Sequence, residues 1–373
     1  MTSRERIQAA VRWERPDALP VNESFWDGVM DDWREQGMPA DISPADYFSL
    51  DICNMWLDAS GQFEQKILDR SDGMITFQDR FGYSLRKEEG RSSTIHFFDQ
   101  VNTGRDFWEN ELKPRLVLSD DPAEPARIDD ASYFAHFDPY PTWEEAVTKY
   151  QRLYATDRYL LFHAYGPWEA TWRHRDMTQL LMDLAMEPNW IRDMADTYVR
   201  LVIDILKRCL ALGMKPDGMF LVEDLGTTRS LLFSPASWRN ALKPAMAMLG
   251  DFLRENDITF WMHSCGAVEP IIDELVEVGL QVLNPLQVDA GMDICKLYEP
   301  YRGRLAFYGN ISVPRMIESQ EALLGELQRK VPLARQGGFV FHSDHSIPPQ
   351  VSLERYTWML KTAREIFEKE DRK

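Results

Sequence analysis

His263 and Cys265 are the two residues whose types and spacing point most directly to chemistry. They close an apolar run, Ile258–Met262, and residues two apart on an extended strand face the same way. An imidazole and a thiolate therefore converge on one point, and both are zinc ligands. A third ligand is available in His342-Ser343-Asp344-His345, where His345 would complete a His263/Cys265/His345 set. Three protein ligands leave a fourth position for water or a substrate thiol, as catalytic zinc requires. The plainer alternative is a half-buried cysteine beside a hydrogen-bonded histidine. Asp344 would orient a ring, or the same segment would cap the last helix through Ser346 or Ser352. Glu223 and Asp224 are adjacent, so on a strand only one of them faces inward. That one would bind metal or act as an acid or base, unless it is tied up in a salt bridge to Arg229. Asp58 and Glu23 carry the same two readings.

These residues need elements that bring them together. Short apolar runs recur along the chain: Ala18–Val21, Tyr159–Ala164, Met219–Val222, Ile258–Met262, Val282–Leu283, Leu305–Tyr308 and Gly338–Phe341, with another within Tyr47–Leu57. Helical patterns separate them, as in Met182–Leu212, Ser234–Asn256, Glu269–Val278 and Ile317–Arg335. Such alternation predicts parallel βα units. Eight units in a chain of this length predict an α/β fold of the (β/α)8 TIM-barrel type. A doubly wound sheet would want a Gly-rich phosphate turn, and neither GxGxxG nor GxxxxGK[ST] occurs. Residues 63–101 break the rhythm and read as a β-hairpin insertion after the second strand, built on Met74–Phe77, Ser84–Lys87 and Thr94–Phe98. The whole chain, 1–373, reads as one barrel domain. In that fold working residues sit at the carboxyl ends of the strands. Those ends supply Glu23, Trp26, His163, Tyr165, Trp168, Asn310 and His342 as candidate substrate-binding residues. Asp224, Glu223 and Asp58 are the candidate catalytic carboxylates. Phe25, Trp56 and Trp172 join the aromatic group that would wall a flat apolar cavity or else pack as core.

Composition narrows the partners. The 373 residues carry 42 Lys and Arg against 60 Asp and Glu, a formal charge of -18. Such a surface repels nucleic acid and anionic lipid, leaving a small molecule as the expected ligand. The four cysteines, Cys53, Cys209, Cys265 and Cys295, are dispersed and form no CxxC pair, which fits reduced thiols. Met1–Arg15 is charged and helical in pattern, and no apolar run reaches the roughly 18 residues of a membrane span. A cytoplasmic protein is expected.

The opening Thr2-Ser-Arg-Glu-Arg, Arg15-Pro-Asp-Ala-Leu-Pro-Val21, Gly166-Pro-Trp168, Glu223-Asp-Leu-Gly226, Leu232-Phe-Ser-Pro235, His263-Ser-Cys-Gly266, Tyr308-Gly-Asn310 and Ser343-Asp-His-Ser-Ile-Pro-Pro349 together resemble the uroporphyrinogen decarboxylase superfamily. The resemblance implies a single (β/α)8 barrel and one of two activities. One branch decarboxylates uroporphyrinogen without a cofactor. The other holds zinc and moves a methyl group between a corrinoid and a thiol, or demethylates small substrates. The decarboxylase branch has arginines after its first strand, where this chain has Asn22-Glu-Ser-Phe-Trp26. His263-x-Cys265 resembles the first two zinc ligands of the methyltransferase branch, and His345 stands where its third, a cysteine, is expected. The resemblance thus implies zinc and a corrinoid. No corrinoid-binding DxHxxG motif is present, so the corrinoid would arrive on a partner protein. It also implies a homodimer. The alternatives are a metal-free lyase acting on a carboxylated substrate through Asp58, and a barrel that only binds a ligand.

Overall fold

The computed structural model of the chain describes residues 1–89, 96–99, 104–131 and 140–369. In chain order its strands are β1 (Ile52–Leu57), β2 (Lys66–Ser71), β3 (Met74–Gln78), β4 (Ser84–Glu88), β5 (His96–Asp99), β6 (Ile128–Asp129), β7 (Tyr159–Tyr165), β8 (Gly218–Val222), β9 (Thr259–His263), β10 (Val282–Asn284), β11 (Ala306–Ile311) and β12 (Phe339–Ser343).

Strands β1 and β7 to β12 pair in parallel, each with the next. The eighth place belongs to the short extended segment Pro20–Asn22. Its Pro20 carbonyl accepts from Phe341 N (2.9 Å), Asn22 N donates to the Phe341 carbonyl (3.1 Å), and Asp51 N donates to the Val21 carbonyl (2.8 Å). This segment joins β12 to the start of β1, so the parallel strands form a (β/α)8 barrel. All seven residues of β7 are buried, as expected for a strand covered on both faces.

Alternation along the strands sorts side chains into two sets. Ile52, Tyr159, Leu161, Phe220, Trp261, Val282, Ala306, Tyr308 and Val340 cluster together and fill the lumen. Ile7, Ala10 and Val11 of the first helix, Ser3–Val11, belong to the same cluster and stop the amino-terminal end of the barrel. That helix starts on a capping box between Thr2 and Glu5. The other set, including Leu160, Phe162, Met219, Leu221, Phe260, Met262 and Phe341, packs outward in the large core against the helices.

The insertion after β1 is a four-stranded antiparallel sheet, β2 to β5. It holds one strand more than the sequence suggests. Strand β2 is exposed at every residue and carries Lys66, Asp69 and Arg70, so it shows no apolar alternation to read. β5 begins at His96; Thr94 and Ile95 of the expected third strand lie outside the described residues. Proline marks the other departures. Pro188 starts a new helix, Pro188–Ala211, after Met177–Met186, where the sequence reads as one continuous helix. Of Tyr47–Leu57 only Ile52–Leu57 is strand, because Pro44–Tyr47 is helical. No helix of the described residues is long and apolar enough to cross a membrane.

Helix Lys243–Glu255 lies against the turn before β10 through Gly250, where an added Cβ would overlap the Val278 carbonyl. Gly→Ala inside a helix normally stabilises by about 1 kcal/mol. Here the sign should reverse: Gly250→Ala is expected to destabilise by ~1–3 kcal/mol in urea unfolding, the cost of overpacking.

Candidate functional site

The lumen-facing alternation continues past the apolar layers into polar residues. On β9, His263 follows Trp261 on the same face; on β10, Asn284 follows Val282; on β12, His342 follows Val340. On β8 and just beyond, Leu221 faces outward and Val222 inward, so Glu223 turns outward and Asp224 inward.

Asp224, His263 and Cys265 present ligand atoms that all lie within 4.8 Å of one another, the one such group among the described residues. His263 Nε2 stands 3.4 Å from Cys265 Sγ and 3.4 Å from Asp224 Oδ1. Its Nδ1 lies 2.6 Å from Asn284 Oδ1, and Asn284 Nδ2 donates to the Tyr308 carbonyl at 2.8 Å. Asp224 Oδ1 also accepts from Cys265 N at 2.8 Å, and Leu225 N donates to Ser264 Oγ at 3.0 Å. The two loops touch backbone to backbone at Gly226 and Gly266. A Cβ on Gly226 would crowd the Cys265 carbonyl, and one on Gly266, whose φ is +88°, would overlap Gly226 itself.

The charges in this group favour one another. Burial alone would raise the Cys265 thiol, but hydrogen bonds from His263 and His345 and the charge of His263 bring it below its usual value. Burial would depress His263, yet Asp224 and Cys265 hold it well above the usual imidazole value. Burial works to raise Asp224, and its hydrogen bond to His263 brings it down instead. The arrangement is a thiol and a carboxylate facing one imidazole, a donor set of sulfur, oxygen and nitrogen that suits zinc. His345 is raised by its hydrogen bond to Cys265, so it stands beside the thiol, although outside the group of three.

Glu223 goes elsewhere. Its two carboxylate oxygens accept from Trp168 N and Glu169 N at 2.9 Å each, capping the helix Pro167–Trp172. Neither Glu223 nor Asp224 is paired with Arg229 among the described ion pairs. Asp58 is fully buried, accepts from Ser60 N at 2.8 Å and from the Gln62 amide, and lies 3.7 Å from Arg80 Nη1 of the insertion.

The substrate-binding candidates divide. His163 packs between Trp56 and Phe220, with ring centroids 4.7 and 4.8 Å away. Its Nε2 meets Asn54 Oδ1 at 3.0 Å and its buried Nδ1 has no partner among the described residues; burial pulls it down to about 3, so the ring is neutral. His342 stacks edge-on against Tyr308 at 4.4 Å and is likewise pulled down to about 3 by burial. Its Nε2 lies 3.3 Å from Glu23 Oε1 and 3.3 Å from Ser24 Oγ. Tyr165 lies under the Arg173 guanidinium, 3.8 Å from its ring centre. Trp168 is fully buried against Phe233, and Trp26 is partly exposed, at 41%. Asn310 is spent on structure: Oδ1 accepts from Ile294 N, and Nδ2 donates to the Leu286 and Met292 carbonyls. Asp344 serves backbone too, accepting from Val288 N and Val313 N, while Ser352 caps the final helix. Sequence reasoning gave Asn284 no role, although it shares the lumen-facing alternation with His263.

Residues 111–366 match the family model described as uroporphyrinogen decarboxylase (URO-D). No curated protein matches the chain. Among solved structures it resembles a methyltransferase from Methanosarcina mazei, with a TM-score of 0.67 and 15% identity. The match covers 99% of this chain and 100% of that one.

Glu23 supplies a pH test. Burial pushes its carboxyl up to about 8 from an ordinary 4.5, against hydrogen bonds from Ser343 and Ser24. Below the ordinary value the group is protonated whether the chain is folded or not. As pH rises from the ordinary value towards the folded one, the unfolded chain ionises while the folded chain keeps its proton, so stability is lost across that window and levels off above it. Urea unfolding from about pH 6 to about pH 9 should weaken the wild type more than Glu23→Gln; equal slopes would show that Glu23 is ionised throughout.

Proposed function

The chain belongs to the uroporphyrinogen decarboxylase (URO-D) family, and from that premise we propose a zinc-dependent, methyltransferase-type enzyme. It would move a methyl group between a small substrate and a corrinoid carried by a partner protein. The observation that carries this reading is the convergence of Asp224, His263 and Cys265 at the carboxyl end of the barrel strands. A thiolate, an imidazole and a carboxylate would hold zinc, with the fourth position left to the substrate. Zinc in such a site supplies Lewis acidity, polarising a substrate oxygen or sulfur.

The chain's own residues then have separable tasks. Cys265 and Asp224 would offset the metal's charge, and His263 would supply a neutral donor. His345, beside Cys265, would give or take the proton of the heteroatom that loses or gains the methyl. Trp56, His163, Phe220, Tyr308 and His342 form an aromatic wall below the metal group. That wall supports a small flat substrate, a methoxylated aromatic or a small thiol, over a long polar one. The chain 1–373 would act as one barrel domain in the cytoplasm, alone or as a homodimer. Asp58, engaged by Ser60, Gln62 and Arg80, would anchor the insertion rather than stabilise a decarboxylation.

Elemental analysis tests the reading first. Near-stoichiometric zinc is expected in the wild type and none in Cys265→Ala. Asp224→Ala should weaken zinc by more than His345→Ala does, with a loss on the order of tenfold or greater. Zinc-free wild type after incubation with the ion would overturn the proposal and leave the metal-free lyase on Asp58. Consumption of methylcobalamin by zinc-loaded protein, with a thiol or phenol as acceptor, then checks the methyl transfer itself.

A further inference from the structure

We infer that Asn284 is the positioning residue of the metal group: it fixes His263 so that Nδ1 keeps its hydrogen and Nε2 faces Cys265 and Asp224. The inference rests on the zinc reading above for its function but not for its geometry.

The argument runs through two hydrogen bonds. An asparagine side chain offers one accepting oxygen and one donating NH2 group, and which end points where follows from its neighbours. Asn284 Nδ2 donates to the Tyr308 carbonyl on β11, a group that can only accept. Its Oδ1 must therefore face His263 Nδ1, 2.6 Å away, and an oxygen there can only accept. Nδ1 must then be the protonated nitrogen. In the neutral ring this leaves the lone pair on Nε2, the atom 3.4 Å from both Cys265 Sγ and Asp224 Oδ1. The ring cannot turn over without setting carbon Cδ2 against the accepting oxygen in place of the Nδ1 N–H. Asn284 is itself held on both sides, since its carbonyl accepts from Ser264 N at 2.7 Å and its side chain is buried. Three neighbouring strands, β9, β10 and β11, thus form a relay from a backbone carbonyl to the metal-facing nitrogen.

An asparagine here also sets charge. A metal-bound histidine often donates its second nitrogen to a carboxylate, which makes the imidazole a stronger donor. The amide orients the ring equally well but adds no negative charge to a site that already holds Cys265 and Asp224. The zinc would stay more electrophilic than with an aspartate at this position.

Two variants and two readouts test this. Asn284→Leu removes the acceptor, and Asn284→Asp keeps it. Zinc titration by competition with a chromophoric chelator should show ~10–100-fold weaker binding in the leucine variant and near wild-type binding in the aspartate variant. Urea unfolding of the metal-free proteins separates this from a folding defect, and if the leucine variant does not fold, Asn284→Ala takes its place. Wild-type affinity in a folded variant that lacks the acceptor would overturn the inference. Proton NMR of metal-free protein labelled at histidine gives the second readout. A slowly exchanging downfield proton on His263 Nδ1 is expected in the wild type and in Asn284→Asp, and its absence from the wild type would overturn the inference. Should the wild type bind no zinc, the metal reading fails by itself, and this proton alone decides the role of Asn284.

Discussion

The close approach of Gly226 to Gly266 is the contact on which the site depends. Two loops, one leaving β8 and one leaving β9, meet there with no side chain between them. Only that approach lets Cys265 N reach Asp224, Leu225 N reach Ser264 and Ala267 N reach the Thr227 carbonyl. These bonds hold the thiol and the carboxylate at one distance before any ligand arrives. Preorganisation of this kind matters because a site misplaced by about an ångström loses much of its effect.

The adjacent acids Glu223 and Asp224 show how one backbone separates two roles. Strand alternation sends the first outward to the amide groups at the start of Pro167–Trp172, and the second inward to His263 and Cys265. Gly166 makes room for the outward one, since a Cβ there would overlap its carboxylate. The outward acid therefore ties β8 to the loop after β7, and the inward acid ties β8 to the loop after β9. A ring of eight strands is thereby braced at the end where its polar residues gather.

Much of this was legible in the sequence. Eight apolar runs mark eight parallel strands because strands buried on both faces must be continuously apolar. The closeness of His263 and Cys265 was legible in their two-residue spacing, although Cys265 lies just past the end of β9 rather than on it. The role of Asp224 over Glu223 was not, because the parity of a strand that ends at Val222 cannot be read until its inner and outer faces are known. His345 was expected beside His263 and Cys265 as a third ligand; it stands next to the thiol but outside the group that Asp224 completes. Asn310 looked like a site residue at a strand end. Its φ of +69° turns it away from the alternation and into the backbone of 286–294. Strand β2 was illegible for the opposite reason: charged on an exposed edge, it carries no burial signal at all.

The helix Ser3–Val11 stops the barrel at its amino-terminal end, and Tyr159, Trp261 and Phe220 fill the lumen above it. The lumen is therefore a cup with one mouth. Whatever enters the barrel and whatever leaves it must pass the same rim, where the polar residues gather. Two molecules meeting there would have to arrive in order, the smaller seated before the larger covers it, and the smaller could leave only after the cover lifts. The floor of the barrel would in this way impose an order of events at its rim.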